Sequence, residues 1–183
     1  MPNWVFNTVT ISGDKHALNS FMERAKQPYD VHGETRSEEL SFWNFVKPED
    51  VELYKDNWYN WNIDNWGCKW DASDVYVQDH IDDDTVRYLE FNSPWGPPIE
   101  AFRAMAGLYP ELTFEFHYAE EQGWGGVLEG RQGGLFVMKE WDIPESHEAR
   151  MDAMSWCYCE EMREDELKDA YDDCPRKMEL ANS

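Results

Sequence analysis

Between Asn65 and Asp71 the chain places a glycine, two indoles, an ammonium and a carboxylate within seven residues. That set is suited to holding a flat ligand or a peptide. Trp66 and Trp70 offer two ring faces to a planar group, and Lys69 and Asp71 supply opposite charges to orient it. The same residues have a structural use: the indoles can plug the end of a sheet while Lys69 pairs with Asp71. A second candidate is Glu120 with Glu121, an adjacent carboxylate pair ahead of a glycine-rich stretch, where a divalent cation or an acid and a base could be placed. Acids number 38 in 183 residues, so adjacent glutamates arise readily by chance.

The remaining chemistry-bearing types are less well arranged. His16, His32, His80, His117 and His147 show no HxH or HExxH spacing, although His80 stands beside Asp79 and Asp82. Cys157 and Cys159 form a CxC with Cys174 downstream and Cys68 far away in sequence. A three-thiolate zinc site is conceivable from these, but the usual CxxC pairing is missing and residues two apart on a helix point to different faces. The expectation is buried or spectator thiols, no metal and no cofactor. EEQGWGGVLEGRQGG contains no GK[ST] and does not lead from a strand into a helix, so it reads as a hairpin needing positive φ, not a phosphate loop. No catalytic residue is assigned, and a binding protein is expected before an enzyme.

The strongest bulk property is charge. Lys plus Arg number 16 against 38 Asp plus Glu, a formal net charge of -22. Such a field repels phosphates and anionic headgroups, which argues against nucleic acid or a membrane and for basic protein surfaces or cations as partners. From Glu140 to Ser183 there are 14 acids and five bases. Glu148 with Asp152 and Glu161 with Asp165 stand four apart, a spacing that weakens an isolated helix. Glu148, Asp152, Glu160, Glu161, Glu164, Asp165 and Asp169 are therefore a candidate electronegative surface able to imitate a phosphate backbone, the alternative being a solvated helix face. Residues 1–10, MPNWVFNTVT, lack a secretory signal pattern and no stretch is apolar enough to span a bilayer. A cytoplasmic location with reduced thiols is expected, the chain being a monomer or small homo-oligomer.

Several elements must position these residues. Val5, Val9 and Ile11 alternate with Thr8 and Thr10 in a strand over 4–12, and Leu18, Phe21, Met22 and Ala25 make a helical stripe behind cap candidates Ser12, Gly13 and Asp14. SFWNFV at 41–46 reads as a strand. An irregular Trp-rich insertion follows at about 47–71, then strands at 74–79 and 86–92. Pro97 and Pro98 open a helix with Ile99, Phe102, Met105 and Tyr109 on one face, and LTFEFHYA alternates as the clearest strand. Beyond the glycine-rich stretch, LFVMKEW suggests one or two more strands. Asp142 and Glu145 offer a capping box for a helix presenting Met151, Met154, Tyr158 and Met162. The order strand, helix, strand, strand, helix, strand predicts an α+β, ferredoxin-like split βαβ fold with an antiparallel sheet and an extra hairpin. That domain is placed at 1–140, with an acidic helical extension at 141–183.

Three stretches, MPNWVFNTVTISG, NWGCKWDA at 65–72, and SPWGPPIEAF followed by YPELTFEFHYAEE, resemble the Api92-like proteins, also described as YubB-type proteins with a ferredoxin-like domain. The resemblance covers roughly residues 1 to 140 and is carried by Asn65, Trp66, Gly67, Lys69, Trp70 and Asp71 together with the Trp95 and Pro98 turn. Cys68 departs from it, where a small polar residue is expected, as does the acidic tail. It implies a ferredoxin-like fold and an origin in phages, prophages or conjugative plasmids, and carries no catalytic residues. The leading expectation is an acidic interaction protein, in its sharpest form a DNA mimic that blocks a basic nucleic-acid-binding or defence protein of the bacterial host. The alternative is a small-ligand binder or enzyme using the Trp66–Asp71 loop and the glutamate pair.

Overall fold

The structure is a computed structural model that describes residues 3–31, 33–78, 84–154, 159 and 162–181. The chain divides into two compact units. The first holds residues 1–121 and 126–140, the second residues 122–125 and 141–183.

The first unit is built on a six-stranded sheet. β1 (Trp4–Gly13) runs into α1 (Lys15–Ala25), whose N-terminus is capped by Asp14 accepting from the backbone N–H of His16 and Ala17. A short ribbon of β2 (Tyr29–Val31) and β3 (Glu34–Arg36) forms a separate two-stranded sheet. After α2 (Val51–Trp66) come β4 (Ser73–Val77), β5 (Val86–Pro94), α3 (Ile99–Leu108), β6 (Leu112–Glu120), β7 (Gly125–Arg131) and β8 (Gly134–Trp141). The sheet order is β4-β5-β1-β6-β7-β8, and β1 pairs antiparallel with both β5 and β6. The four strands β4-β5-β1-β6 with α1 and α3 are the split βαβ arrangement that the element order predicts, and β7-β8 is the added hairpin.

One face of this sheet makes the core. Val5, Val9 and Ile11 of β1, Leu89 and Phe91 of β5, and Leu112, Phe114 and Phe116 of β6 are buried, as are Leu18 and Phe21 of α1 and Phe102 and Met105 of α3. Phe102 lies stacked on Phe116 at 4.4 Å between centroids, and Phe21 meets Phe114 edge-on at 5.5 Å. Burial of each such side chain stabilises the fold by roughly 1.5–3 kcal/mol.

Two sequence expectations are corrected. SFWNFV is not a strand but a 3-10 turn at Phe42–Asn44. Leu40, Ser41, Phe42 and Trp43 are all buried in succession, which a strand with alternating faces cannot achieve beside one core. The Trp-rich passage is not irregular but the 16-residue helix α2, capped by Asp50, kinked at Asn57 and stopped by Gly67 at φ 90°. The glycine-rich stretch forms the hairpin read from it, with β7 as its first arm: a Cβ on Gly126 would sit 2.6 Å from the Tyr118 hydroxyl, so the ring of β6 needs that glycine. Gln132 and Gly133, both with positive φ, form the two-residue hairpin turn to β8.

The second unit contains α4 (His147–Met154), a 3-10 turn at Leu167–Asp169 and α5 (Pro175–Ala181). The Asp142 and Glu145 capping box is not formed. Ser146 Oγ accepts from the Ala149 N–H, and the Asp173 carboxylate accepts from the N–H groups of His147 and Glu148. Met162 lies in this unit's small core but on no helix with Met151, and Tyr158 falls outside the described residues. Among the described residues, no helix is long and apolar enough to cross a membrane.

Candidate functional site

The first unit holds an aromatic cleft of about 540 Å³. Four sets of elements build it. Tyr29 and Arg36 are direct cross-strand partners in the β2-β3 ribbon, so their side chains share a face. The 3-10 turn contributes Trp43, and α2 contributes Tyr54, Trp58, Asn62 and Trp66. These four helical residues recur at every fourth position and so lie in one row along the helix. Trp70, Asp71 and Ser73 close the cleft at the start of β4. The register of β4 against β5 slips between Ser73 and Tyr76, around Asp74 at φ 53°, a bulge just past the point where the cleft-lining segment enters the strand at Ser73.

The walls are rigid because the rings support one another. Tyr29 is stacked on Trp43 at 5.4 Å and 12°, and Trp43 packs edge-on against Tyr54 at 5.3 Å. Trp66 is buried and its indole N–H donates to the Val46 carbonyl at 2.9 Å, so it is a pillar of the wall. The Tyr54 hydroxyl donates to Asn62 Oδ1 at 3.1 Å and Asn62 Nδ2 donates to the Lys69 carbonyl at 2.8 Å, which fixes the amide. Trp58 and Trp70 are the more accessible indoles.

Asp71 forms the floor. Its Oδ1 accepts from the N–H of Phe42 at 2.6 Å and of Ala72 at 2.9 Å, and its Oδ2 accepts from the hydroxyls of Ser41 at 2.5 Å and Tyr29 at 2.8 Å. Burial pushes the Asp71 carboxyl above the usual carboxylate range, against the pull of these donors. Tyr29 is raised well above an ordinary phenol, first by burial and then by the Asp71 charge, and burial also raises Tyr54. Both phenols therefore stay protonated at neutral pH. Asp71 is filled by protein donors and anchors the turn, while Arg36 brings the cation of the lining to the exposed mouth.

The predicted loop residues are only partly brought together. Trp66, Trp70 and Asp71 line the cleft. Lys69 does not pair with Asp71: its ammonium lies 4.0 Å from the Trp95 ring centroid and 5.0 Å from that of Trp70. Glu120 and Glu121 are not part of the cleft and do not act as a pair. Glu120 is on the buried face of β6 opposite Val5, whereas Glu121 follows the strand and accepts from the Trp4 N–H at 3.3 Å. Tyr29, Arg36, Trp43, Tyr54, Trp58, Asn62 and Ser73 were missed. The four-residue spacing from Tyr54 to Trp66 was the available signal.

Of the acidic candidates, Glu148 and Asp152 are exposed on α4, and Glu164, Asp165 and Asp169 are exposed elsewhere in the second unit. Asp165 lies in a turn, not on a helix, with Arg163 at 3.6 Å, so the four-residue helical argument does not apply to it. Glu160 and Glu161, like Cys157, His32 and His80, lie outside the described residues. Cys68 is buried in the first unit, its thiol directed at the Trp70 carbonyl at 3.3 Å. His117 is exposed and contacts Glu115 at 2.9 Å.

Comparison with known proteins bears on the fold. Residues 65–166 match the family model described as the ferredoxin-like domain in Api92-like protein. The crystal structure of a protein api92 from Yersinia pseudotuberculosis is similar with a TM-score of 0.47 and 12% identity, over 79% of this chain and 99% of that one. No curated protein matches the chain.

Proposed function

We propose, for a chain that belongs to the family of Api92-like proteins with a ferredoxin-like domain, that the aromatic cleft is a binding site for a planar ring carrying a carboxylate or phosphate. The observation that supports this is the lining itself: Tyr29, Trp43, Trp58 and Trp70 around a volume of about 540 Å³, with Arg36 at the mouth. Pockets of this size and apolar character accept a small molecule. Aromatic walls favour a flat ring, with each good stacking contact contributing on the order of 1 kcal/mol. Asp71 already accepts four close hydrogen bonds from the protein, so its polar role is to hold the floor, and the polar end of a ligand falls to Arg36.

A thermal-shift series with indole-, purine- and quinoline-type carboxylates and phosphates tests the reading. A compound that stabilises the wild type should lose most of its effect in Arg36→Ala and be matched poorly by its neutral analogue. Equal stabilisation by charged and neutral analogues would remove Arg36 from the account.

A second reading is supported by the net charge of -22 and by the exposure of Glu148, Asp152, Glu164, Asp165 and Asp169. In it the chain is an acidic interaction protein of a phage or plasmid that occupies a basic host surface, DNA mimicry being its sharpest form. Replacing those five acids by lysine should abolish a salt-sensitive, DNA-displaceable association with host nucleic-acid-binding proteins. Unchanged capture and salt dependence would end that reading.

A further inference from the structure

The second unit brings together three side chains that no helical or CxxC spacing links. His147 opens α4, Cys159 lies between the helices, and Cys174 immediately precedes α5. Their ligand atoms all lie within 4.8 Å of one another. Cys159 Sγ is 3.3 Å from His147 Nδ1 and 2.8 Å from Cys174 Sγ, and both cysteines are buried. From this juxtaposition we infer that His147, Cys159 and Cys174 form a zinc site that staples the second unit.

Three features support it. The donor set is the nitrogen and sulfur mixture that structural zinc takes, with Zn–S near 2.3 Å and Zn–N near 2.0 Å. A shared tetrahedral ion would place the two sulfurs about 3.8 Å apart, so side-chain rotation by about 1 Å admits it. Each ligand is also positioned by hydrogen bonds of its own backbone. Asp173 accepts from the His147 N–H at 2.7 Å, Arg176 donates to the Cys159 carbonyl at 2.9 Å, and the Cys174 N–H donates to the Tyr171 carbonyl at 3.0 Å.

The need for a staple follows from size. The buried core of this unit is Cys159, Leu167, Ala170 and Cys174. A unit confined to residues 122–125 and 141–183 is well below the ~70 residues at which one hydrophobic core usually suffices, and small units add disulfides or metals. Two of its buried residues being thiols beside an imidazole makes the metal the natural staple under reducing conditions. The ion leaves one coordination position beyond these three ligands, for a water or a further side chain.

The test is metal content of the full chain, purified with zinc and a thiol reductant. About one zinc per chain is expected, together with an intense thiolate-to-metal absorption after cobalt replacement. Cys159→Ser, Cys174→Ser and His147→Ala should each lose most of the metal, while Cys68→Ser keeps it. Should the cysteine variants fail to fold, a strong chelator added to the wild type should lower the unfolding temperature of the second unit and leave that of the first unchanged. A metal-free reduced protein, a Cys159–Cys174 disulfide formed in the presence of reductant, or full zinc retention in Cys174→Ser would overturn the assignment.

Discussion

Asp71 ties together residues that are 30 and 42 positions distant, Ser41 and Tyr29, along with the N–H groups of Phe42 and Ala72. Replacing it by alanine leaves the buried N–H donors of Phe42, Trp43 and Ala72 without that acceptor, and the expected loss is about 2 kcal/mol or more in urea unfolding. Asparagine should cost much less, because Oδ1 can still accept the Phe42 and Ala72 N–H groups and the Tyr29 and Ser41 hydroxyls can turn to accept from its amide. An equal loss in the two variants would mean that the negative charge itself matters. Tyr118 gives a pH prediction. Its pKa is pushed up to about 12, by burial first and then by its contact with Glu140. Unfolded, the phenol ionises near pH 10. The folded state therefore holds a proton that the unfolded state releases, so its contribution is complete below about pH 10 and is lost as pH rises toward 12. Tyr118→Phe should flatten the fall in stability over that window, measured by chemical unfolding at a series of pH values.

Among the elements, β7 makes the most direct prediction. Gly126→Ala drives a methyl against the Tyr118 ring, with contacts of 2.6 to 2.9 Å, and should destabilise by roughly 1–3 kcal/mol in thermal unfolding. The strands and helices that follow a single period were legible in the sequence: β1 and β6 alternate cleanly, and α1 and α3 carry apolar stripes. The cleft was legible only in its final loop. SFWNFV has the composition of a strand, and distant partners hold it as a turn: the Asp71 carboxylate accepts the Phe42 N–H, and the Asn44 amide donates to the Ala25 and Gln27 carbonyls. Helix α2 buries Tyr54, Asn62 and Trp66 and exposes Leu53 and Tyr59, so it shows no apolar face of the usual kind. Its informative row is the aromatic and amide one at every fourth residue, which lines the cleft. Glu120 and Glu121 are adjacent in sequence, yet strand alternation and the end of β6 separate their roles.

At the scale of the molecule, a net charge of -22 sets a background repulsion on which every local attraction is superposed. Raising ionic strength from about 0.01 M to 0.15 M shortens the Debye length from ~30 Å to ~8 Å and should raise the unfolding temperature by relieving that repulsion. A fall in unfolding temperature would indicate that attractive ion pairs dominate instead. For the same reason an anionic ligand must be drawn in at short range, by the aromatic walls and Arg36, against the long-range field. The most direct measurement is calorimetric titration of the wild type and of Trp58→Ala with the indole-, purine- and quinoline-type acids. Trp58 is half-buried on α2 and lines the cleft without bonding the Asp71 floor, so its removal should leave the fold intact. The account predicts that at least one planar acid binds the wild type at one site and binds Trp58→Ala about tenfold or more weakly, a loss typical of an aromatic contact at a binding centre. Absence of binding across the series, or equal affinity for the two proteins, would contradict it.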